Sequence, residues 1–255
     1  MSAGMRWPTD RLSYDLGRPI DGVVRAIMWP TYTLVGRERW FDELYVWTER
    51  VEATTMQRAR IQLTALEQAF AMLEREHVRK IGVTLSFGTV ERALDLVSGL
   101  FHSHRLMSHR MLVLLRGDLE RMRSRYRVRG FVDYLRAQHV PVGYRIDAPR
   151  VSMELRTFDF LAPDFVKVAA PESPRLEFWQ DVALEARVGG VTVDWLVIAG
   201  IETLGQKKMA ADSGFRFGQG HAMRAPYDPP MPLPEAGGAV ATQPHGPPLP
   251  GKSVA

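Results

Sequence analysis

Short apolar runs that alternate with amphipathic helical patterns are the feature that most constrains the fold of this chain. The runs are rich in β-branched and other large apolar residues, and most are too short for helices, so they predict strands. In chain order they are GVVRAIMW, LYVW, KIGVTLS, RMLVLL, VPVGYRI, FVKVA, VDWLVIAGI and FRFGQG.

Helical patterns occupy the stretches between the predicted strands. Leu63, Leu66, Phe70 and Leu73 recur at three- and four-residue spacing, as in a helix that covers a sheet. A strand followed by a helix, repeated over about 200 residues, predicts a parallel α/β fold, and the number of strands favours a TIM-like (β/α) barrel over an open sheet. Similar patterns cover residues 90–100, 131–138, 179–188 and 204–213.

The chain has 255 residues, of which 45% are hydrophobic, and this composition suits one globular domain. Residues 228–255 are rich in proline, glycine and alanine and have almost no large apolar groups, which predicts a flexible tail. We therefore expect an N-terminal arm over residues 1–19, the barrel over 20–227 and the tail over 228–255.

Charge and cysteine content limit the partners and sites. A net charge of +4 and a pI near 9.5 favour acidic partners but lack the concentrated charge of a nucleic-acid binder. The chain has no cysteine, which excludes disulfides and thiolate metal sites. The N-terminus lacks a signal-peptide core, and no run approaches the roughly 18 apolar residues of a membrane span, so we expect a cytoplasmic protein with no membrane partner.

The C-terminal part of the predicted barrel carries an ordered motif. It consists of IAGIET at residues 198–203, Gln206, Gly214, QG at 219–220 and Pro226. This order and spacing resembles the A-E-G-V-E-T…Q…G…Q-G…P pattern of EAL domains, bacterial barrel-shaped phosphodiesterases that hydrolyse cyclic di-GMP. In this alignment Ala199 stands at a family glutamate.

Earlier segments resemble EAL motifs in the same order, from about residue 20 onwards. LAPDFVKVA resembles L-P-V-D-x-L-K-I-D, VPVGYRI stands at I-A-L-D-D-F-G, MLVLLRG at L-E-L-E-I-T-E and IGVTLS at V-S-V-N-L-S. The opening segment WPTYTLVGRERWFDELYVW resembles Q-P-I…E-A-L-L-R-W. The resemblance implies an EAL-type barrel, shortened near its N-terminal part because the stretch from Trp47 to Thr84 is shorter than in the family.

The resemblance also implies oxygen ligands for divalent metals at the C-terminal ends of the strands. In this alignment most of these ligands are replaced by residues that have no carboxylate. We therefore predict a degenerate domain with no catalytic residue, no metal site and no cofactor. The replacements are Thr84 for asparagine, Leu114 for glutamate, Gly143 and Tyr144 for paired aspartates, Ala169 for aspartate and Ala199 for glutamate.

Five residues remain as candidate ligand-binding remnants. They are Asp42 at the signature glutamate, Thr84, Lys167, Glu202 and Gln219. For Lys167 and Glu202 we favour an ion pair that closes the barrel mouth over a remnant of chemistry.

Two further replacements bear on nucleotide binding. Val46 replaces an arginine that would contact phosphate, and Trp29 replaces a glutamine. Cyclic di-GMP is therefore a disfavoured ligand.

The stretch RMRSRYRVRG has an arginine at every second position, namely Arg121, Arg123, Arg125, Arg127 and Arg129. On a strand or extended loop this alternation places all five guanidiniums on one face, whereas a helix would scatter them. A solvated surface is the simplest interpretation, and an acidic protein partner is the main functional one. Nucleic acid is disfavoured because Tyr126 is the one interleaved aromatic residue.

Three functions remain open at this point. The favoured one is a non-catalytic EAL-like regulator or adaptor that acts through protein–protein interaction. The alternative is a receptor that binds cyclic di-GMP without hydrolysing it. An active phosphodiesterase with rearranged ligands is the least favoured.

Overall fold

The computed structural model describes residues 5–7, 24–48, 54–118, 121–147, 160–171, 175–188, 190 and 195–229. Nine strands in this part of the chain form one sheet, in which each strand pairs with the next. Strand β2 also pairs with β9, so β2 to β9 close into an eight-stranded barrel. The strands are β1 (Met5–Trp7), β2 (Val24–Thr33), β3 (Arg39–Thr48), β4 (Ile81–Ser86), β5 (Met111–Arg116), β6 (Val142–Asp147), β7 (Phe165–Ala169), β8 (Leu196–Ala199) and β9 (Phe217–Gln219).

Five α-helices are described, and they surround the barrel. Two of them have a capping box, in which the N-cap threonine and a glutamine three residues later bond to each other's backbone. These are α1, which begins after Thr54, and α5, which begins after Thr203. The helices are α1 (Thr55–Glu74), α2 (Phe87–Ser103), α3 (Arg125–Ala137), α4 (Leu176–Val188) and α5 (Leu204–Asp212).

The structure confirms the predicted (β/α) barrel and its order of strands and helices. One strand, β2, departs from the parallel arrangement that the sequence predicted. Strand β2 runs antiparallel to both β3 and β9, whereas all other neighbours from β3 to β9 are parallel. The physical reason is the link from β2 to β3, which spans only residues 34–38. So short a link supports a hairpin, while a parallel return needs a crossover of a dozen or more residues.

The predicted boundaries of the domain are only partly open to comparison. Residues 5–7 of the expected N-terminal arm form β1, which pairs with β2. Residues 230–255 of the expected tail lie outside the described residues. Between β3 and β4 the described residues contain α1, and the shortening relative to EAL domains stays a prediction.

Two apolar cores lie on the two sides of the barrel wall. The larger fills the space between the strands and the helices, and the smaller fills the barrel itself. The partly buried Trp40 stacks on Phe217 at 4.1 Å and closes the small core. Members of the small core are Phe41, Leu112, Leu114, Phe165, Val197 and Phe217.

Glycines let the rings of the small core lie against the strands. A Cβ atom at Gly143 on β6 would lie 2.4 Å from two ring atoms of Phe165, and one at Gly82 on β4 would lie 2.8 Å from the ring of Phe41. These contacts are far inside normal packing distance. The interior beside β4 and β6 is therefore filled by aromatic rings from other strands.

We expect Gly143→Ala to lower the free energy of unfolding by about 1–3 kcal/mol, because the added methyl must displace the ring of Phe165. Urea unfolding monitored by circular dichroism measures the change. The matched control is Gly130→Ala on α3, where an added Cβ meets no atom within 4 Å. This control should stabilise the protein by about 0.5–1 kcal/mol. Equal effects of the two substitutions would contradict the packing described.

Candidate functional site

A buried polar cluster lies inside the barrel above the aromatic core. It joins Glu43 of β3, Thr84 of β4, Lys167 of β7 and Gln219 of β9, and we call it the interior cluster. Lys167 Nζ forms an ion pair with Glu43 and donates a hydrogen bond to Gln219 Oε1 at 2.6 Å. Thr84 Oγ1 donates to Glu43 Oε1 at 2.9 Å. Both charged side chains are at least 96% buried, so their partners replace the water that they lose.

Gln219 connects the interior cluster to the closing strand of the barrel. Its Nε2 donates to the carbonyl oxygen of Trp29 at 3.1 Å and to Thr31 Oγ1 at 3.3 Å. The same atom lies 3.4 Å from Glu43 Oε2. Because Trp29 and Thr31 belong to β2, these bonds hold β9 to β2 at the seam where the barrel closes.

The environment of Glu43 keeps it ionised. Burial alone raises the pKa of this carboxyl, but the charges of Lys167 and Arg145 and the hydrogen bonds from Lys167 and Thr84 outweigh burial. The pKa of Glu43 is therefore below its ordinary value, and the side chain is a carboxylate at neutral pH. The interior cluster thus contains a buried ion pair between Glu43 and Lys167.

This donor set does not fit the divalent cation that the EAL resemblance implies. Magnesium needs several hard oxygen ligands in a near-octahedral array. Glu43 is the one carboxylate of the interior cluster, and Thr84 and Lys167 already bond to its two oxygens. Neighbouring inward positions belong to Leu114, Gly143 and Val197, which have no side-chain oxygen. Among the described residues no group of three or more His, Asp or Glu side chains is arranged to hold a metal ion.

The structure brings three of the five predicted remnants together, namely Thr84, Lys167 and Gln219. Asp42 does not join them, because adjacent residues of a strand point to opposite sides of a sheet. Asp42 instead forms an ion pair with Arg39, which also bonds to Tyr227. Glu43, one residue further along, takes the interior position that the resemblance gave to Asp42.

Asp42 and its partners fasten the C-terminal segment of the described chain to the barrel wall. Burial raises the pKa of Asp42 more than the bonds to Arg39 and Tyr227 lower it, so the net pKa is above its ordinary value. Burial and the Asp42 charge raise the pKa of Tyr227 to about 12. Tyr227 also exchanges backbone hydrogen bonds with Met28 of β2. This group is therefore an anchor on the outer side of the barrel.

The expected ion pair between Lys167 and Glu202 is wrong. Glu202 follows β8 in a half-exposed position and bonds to His221 Nδ1 at 2.6 Å, whereas Lys167 binds Glu43. The Glu202 backbone N–H donates to Gln206 Oε1 at 2.7 Å. Glu202 therefore belongs to the start of α5 and does not reach the interior cluster.

Two other alignment positions also lie outside the barrel interior. Tyr144 is buried on the outer side, where it stacks with Phe87 at 6.0 Å and its hydroxyl donates to the Gly117 carbonyl oxygen. The prediction that its phenol stands at the strand ends is wrong, because Arg145 takes the inward position and lies over the ring of Tyr45. Val46 packs against the outer core.

Trp29 on β2 is a further replaced position. Its ring makes an edge contact with His221 at 5.3 Å. A bulky ring therefore stands where the resemblance has an amide.

The arginine-rich segment is helical from Arg125 onwards, which decides between the two geometries left open by the sequence. A helix scatters alternate residues, so Arg125, Arg127 and Arg129 do not share one face. Arg129 donates to the Phe160 carbonyl oxygen and pairs with Asp133. Arg121, Arg123 and Arg125 are exposed.

Sequence reasoning missed Glu43 and Arg145. The two-residue period of the strands could have identified both residues as inward-facing, because the residues on either side of Glu43 and of Arg145 are apolar or face outward. The EAL alignment instead assigned the inward positions to Asp42 and Tyr144, each one residue earlier. A shift of one residue exchanges the two faces of a strand.

Neither the protein-family models nor the curated protein sequences give a match to this chain. Solved structures do match. The PaMucR phosphodiesterase, solved as a c-di-GMP complex, is 15% identical with a TM-score of 0.63, and the match covers 80% of this chain and 97% of that one. Bacillus subtilis YkuI, a protein with an EAL domain solved with c-di-GMP and calcium, is 16% identical with a TM-score of 0.63.

The YkuI match covers 82% of this chain and 57% of that one. An EAL domain protein from Listeria monocytogenes is 11% identical with a TM-score of 0.60, over 80% of this chain and 88% of that one. The chain therefore has the EAL-type barrel fold, as the sequence motifs predicted. None of the described helices combines the length and the apolar character needed to cross a membrane.

We expect Lys167→Met to lower the free energy of unfolding by about 3–5 kcal/mol, because it leaves the buried Glu43 carboxylate without its cation. The double variant Glu43→Gln/Lys167→Met should recover at least about half of this loss. Urea unfolding at neutral pH measures both.

Lys208→Met is the matched control, since Lys208 forms an exposed ion pair with Asp212 at 2.6 Å. It should change the free energy of unfolding by less than about 0.5 kcal/mol. An effect of Lys167→Met as small as that of the control would show that the interior pair is not formed.

Proposed function

We propose that this chain is a non-catalytic EAL-like signalling protein that acts as a regulator or adaptor through protein–protein interaction. The observation that carries the proposal is the interior cluster. Its one carboxylate, Glu43, is bound by Lys167 and Thr84, and the described inward residues Leu114, Gly143 and Val197 have no carboxylate. We expect the protein to act in the bacterial cytoplasm, where cyclic di-GMP signalling takes place.

The chemistry explains why this cluster supports a non-catalytic role. Metal-assisted hydrolysis of a phosphodiester needs a cation that lowers the pKa of a bound water and neutralises charge in the transition state. Here the Lys167 ammonium already occupies the space beside the Glu43 carboxylate. A divalent ion would have to displace this ammonium and would then have Glu43 as its one carboxylate ligand from the interior cluster.

A protein-binding role is supported by the exposed side chains around the start of α3. Tyr126 is 80% exposed, and it lies between the exposed Arg125 and the half-buried Arg127. The Arg121 side chain is 88% exposed. Tyrosine and arginine are the residue types that most often carry binding energy at protein interfaces. The guanidinium groups favour a partner with an acidic surface.

A second candidate is a receptor that binds cyclic di-GMP without hydrolysing it. The observation in its favour is that the PaMucR phosphodiesterase and YkuI were both solved with c-di-GMP. Against it stand Trp29 in place of an amide and Val46 on the outer side of the wall. Calorimetry with cyclic di-GMP decides between the two, because heat of binding below about 100 μM ligand would favour the receptor.

We expect no hydrolysis of cyclic di-GMP in the presence of Mg²⁺ or Mn²⁺, because the donor set does not support a metal-activated water. Liquid chromatography of the nucleotide after prolonged incubation measures turnover. PaMucR phosphodiesterase serves as the positive control under the same conditions. A metal-dependent rate that Glu43→Gln abolishes would overturn the non-catalytic proposal.

We expect the double variant Arg125→Glu/Tyr126→Ala to lose a specific protein partner that the wild type retains. Affinity purification from the native cell, followed by quantitative mass spectrometry, measures the difference. A partner that binds through Tyr and Arg anchors should fall by about tenfold or more.

The control is Arg105→Glu/Leu106→Ala, which makes the same type of change at exposed residues after the C-terminus of α2, at the opposite end of the barrel. A partner recovered equally with all three proteins would place the interface elsewhere. If no protein is enriched by the wild type over a blank resin, the adaptor proposal fails.

A further inference from the structure

An arginine-lined cavity lies beside the barrel at the C-terminal ends of β4 and β5. Its volume is about 470 Å³, which is within the range of small-molecule sites. It lies between the first turns of the helices and the segment that leads into α3. Five arginines line it, namely Arg92, Arg116, Arg121, Arg123 and Arg127, together with the carboxylates Glu91 and Asp118.

Three helices begin at this cavity. The lining includes Thr55 of α1, Phe87 and Gly88 of α2, and Ser124, which precedes α3. In none of the three helices does the first turn contain an acidic residue. The positive ends of the α1 and α2 dipoles are therefore not offset by a carboxylate of their own first turn, whereas the start of α3 is bound by Glu91 of α2.

The two carboxylates of the cavity already have partners. Glu91 Oε1 accepts a hydrogen bond from the Ser124 backbone N–H at 2.6 Å. Asp118 pairs with Arg121 at 3.3 Å. Neither carboxylate has a described contact with Arg123 or Arg127.

Arg123 and Arg127 are the side chains most available to a ligand. Neither guanidinium makes a hydrogen bond or an ion pair with the residues that the structure describes. Arg127 is half-buried, so its donors are partly withdrawn from water and would gain from an anionic partner.

Ser124 adds a second, independent indication. It is the N-cap residue of α3 but makes no side-chain capping bond. Its Oγ is buried and has no hydrogen-bond partner among the described residues. A buried hydroxyl without a partner costs free energy unless another group supplies the bond. A ligand oxygen in the cavity would supply it.

We propose that this cavity binds a small ligand that bears a phosphate or diphosphate group. Guanidiniums that form forked hydrogen bonds, helix N-termini and a spare hydroxyl are together the chemistry that recognises phosphoryl oxygens. The volume of the cavity fits a small ligand, whereas an acidic protein surface would contact the exposed arginines around it. This site is separate from the interior cluster, and its existence does not depend on the adaptor function.

Isothermal titration calorimetry with inorganic phosphate and inorganic diphosphate tests the proposal on the full chain. We expect diphosphate to bind more tightly than phosphate, because it reaches more of the guanidinium donors. The double variant Arg123→Ala/Arg127→Ala should weaken diphosphate binding by about tenfold or more. The matched control Arg125→Ala removes the same charge from the same helix outside the cavity, and it should change the Kd by less than about twofold.

Several results would overturn the proposal. One is the absence of binding heat with about 5 mM diphosphate, provided that circular dichroism shows the protein to be folded. Another is equal weakening by the Arg125→Ala control, which would indicate a general attraction between charges. A third is tighter binding of a glutamate-rich peptide than of diphosphate, which would identify the cavity as part of a protein interface.

Ser124→Ala is a second variant that leaves the surface charge unchanged. It should weaken diphosphate binding by about threefold or more while leaving the thermal midpoint of the free protein unchanged or higher, because it removes an unpaired buried hydroxyl. A lower midpoint with unchanged binding would show that the hydroxyl serves the fold alone.

Discussion

The buried ion pair between Glu43 and Lys167 is the interaction on which the barrel interior depends. The two residues come from β3 and β7, and burial of both charges is tolerated only because Thr84 and Gln219 complete their hydrogen bonds. These same contacts occupy the oxygens that a metal ion would require. Lys167 and a metal ion would therefore compete for the Glu43 carboxylate, and in this structure Lys167 is bound to it.

Below the ion pair the barrel is filled by aromatic rings. Phe165 covers Gly143, and Phe41 covers Gly82, so at these two positions the strands contribute backbone and no side chain to the interior. Small barrels of eight strands are normally filled by side chains, and here the filling is unusually aromatic. An aspartate at Gly143 would need the space that the Phe165 ring occupies. A side chain at position 143 and the Phe165 ring therefore exclude each other.

The outer rim of the barrel offers different chemistry from its centre. Parallel strands followed by helices place the N-termini of α1, α2 and α3 at one end of the barrel, where arginines gather. Arg123 and Arg127 are free of protein partners within the described residues, while Arg129 is used to hold the Phe160 backbone. In the sequence the arginines form one alternating series. The roles of Arg127 and Arg129 differ because the segment from Arg125 onwards is a helix, which points them in different directions.

The order of the strands and helices could be predicted from the sequence, because hydrophobic periodicity is a local property of the chain. The C-terminal motifs likewise identified Lys167 and Gln219. The sequence did not determine that Glu43, and not Asp42, points inward, because a shift of one residue reverses the faces of a strand. Nor did it determine that Lys167 pairs with Glu43, 124 residues away, and not with Glu202. Closure of the barrel decides both, since it alone brings β3, β7 and β9 around a common axis.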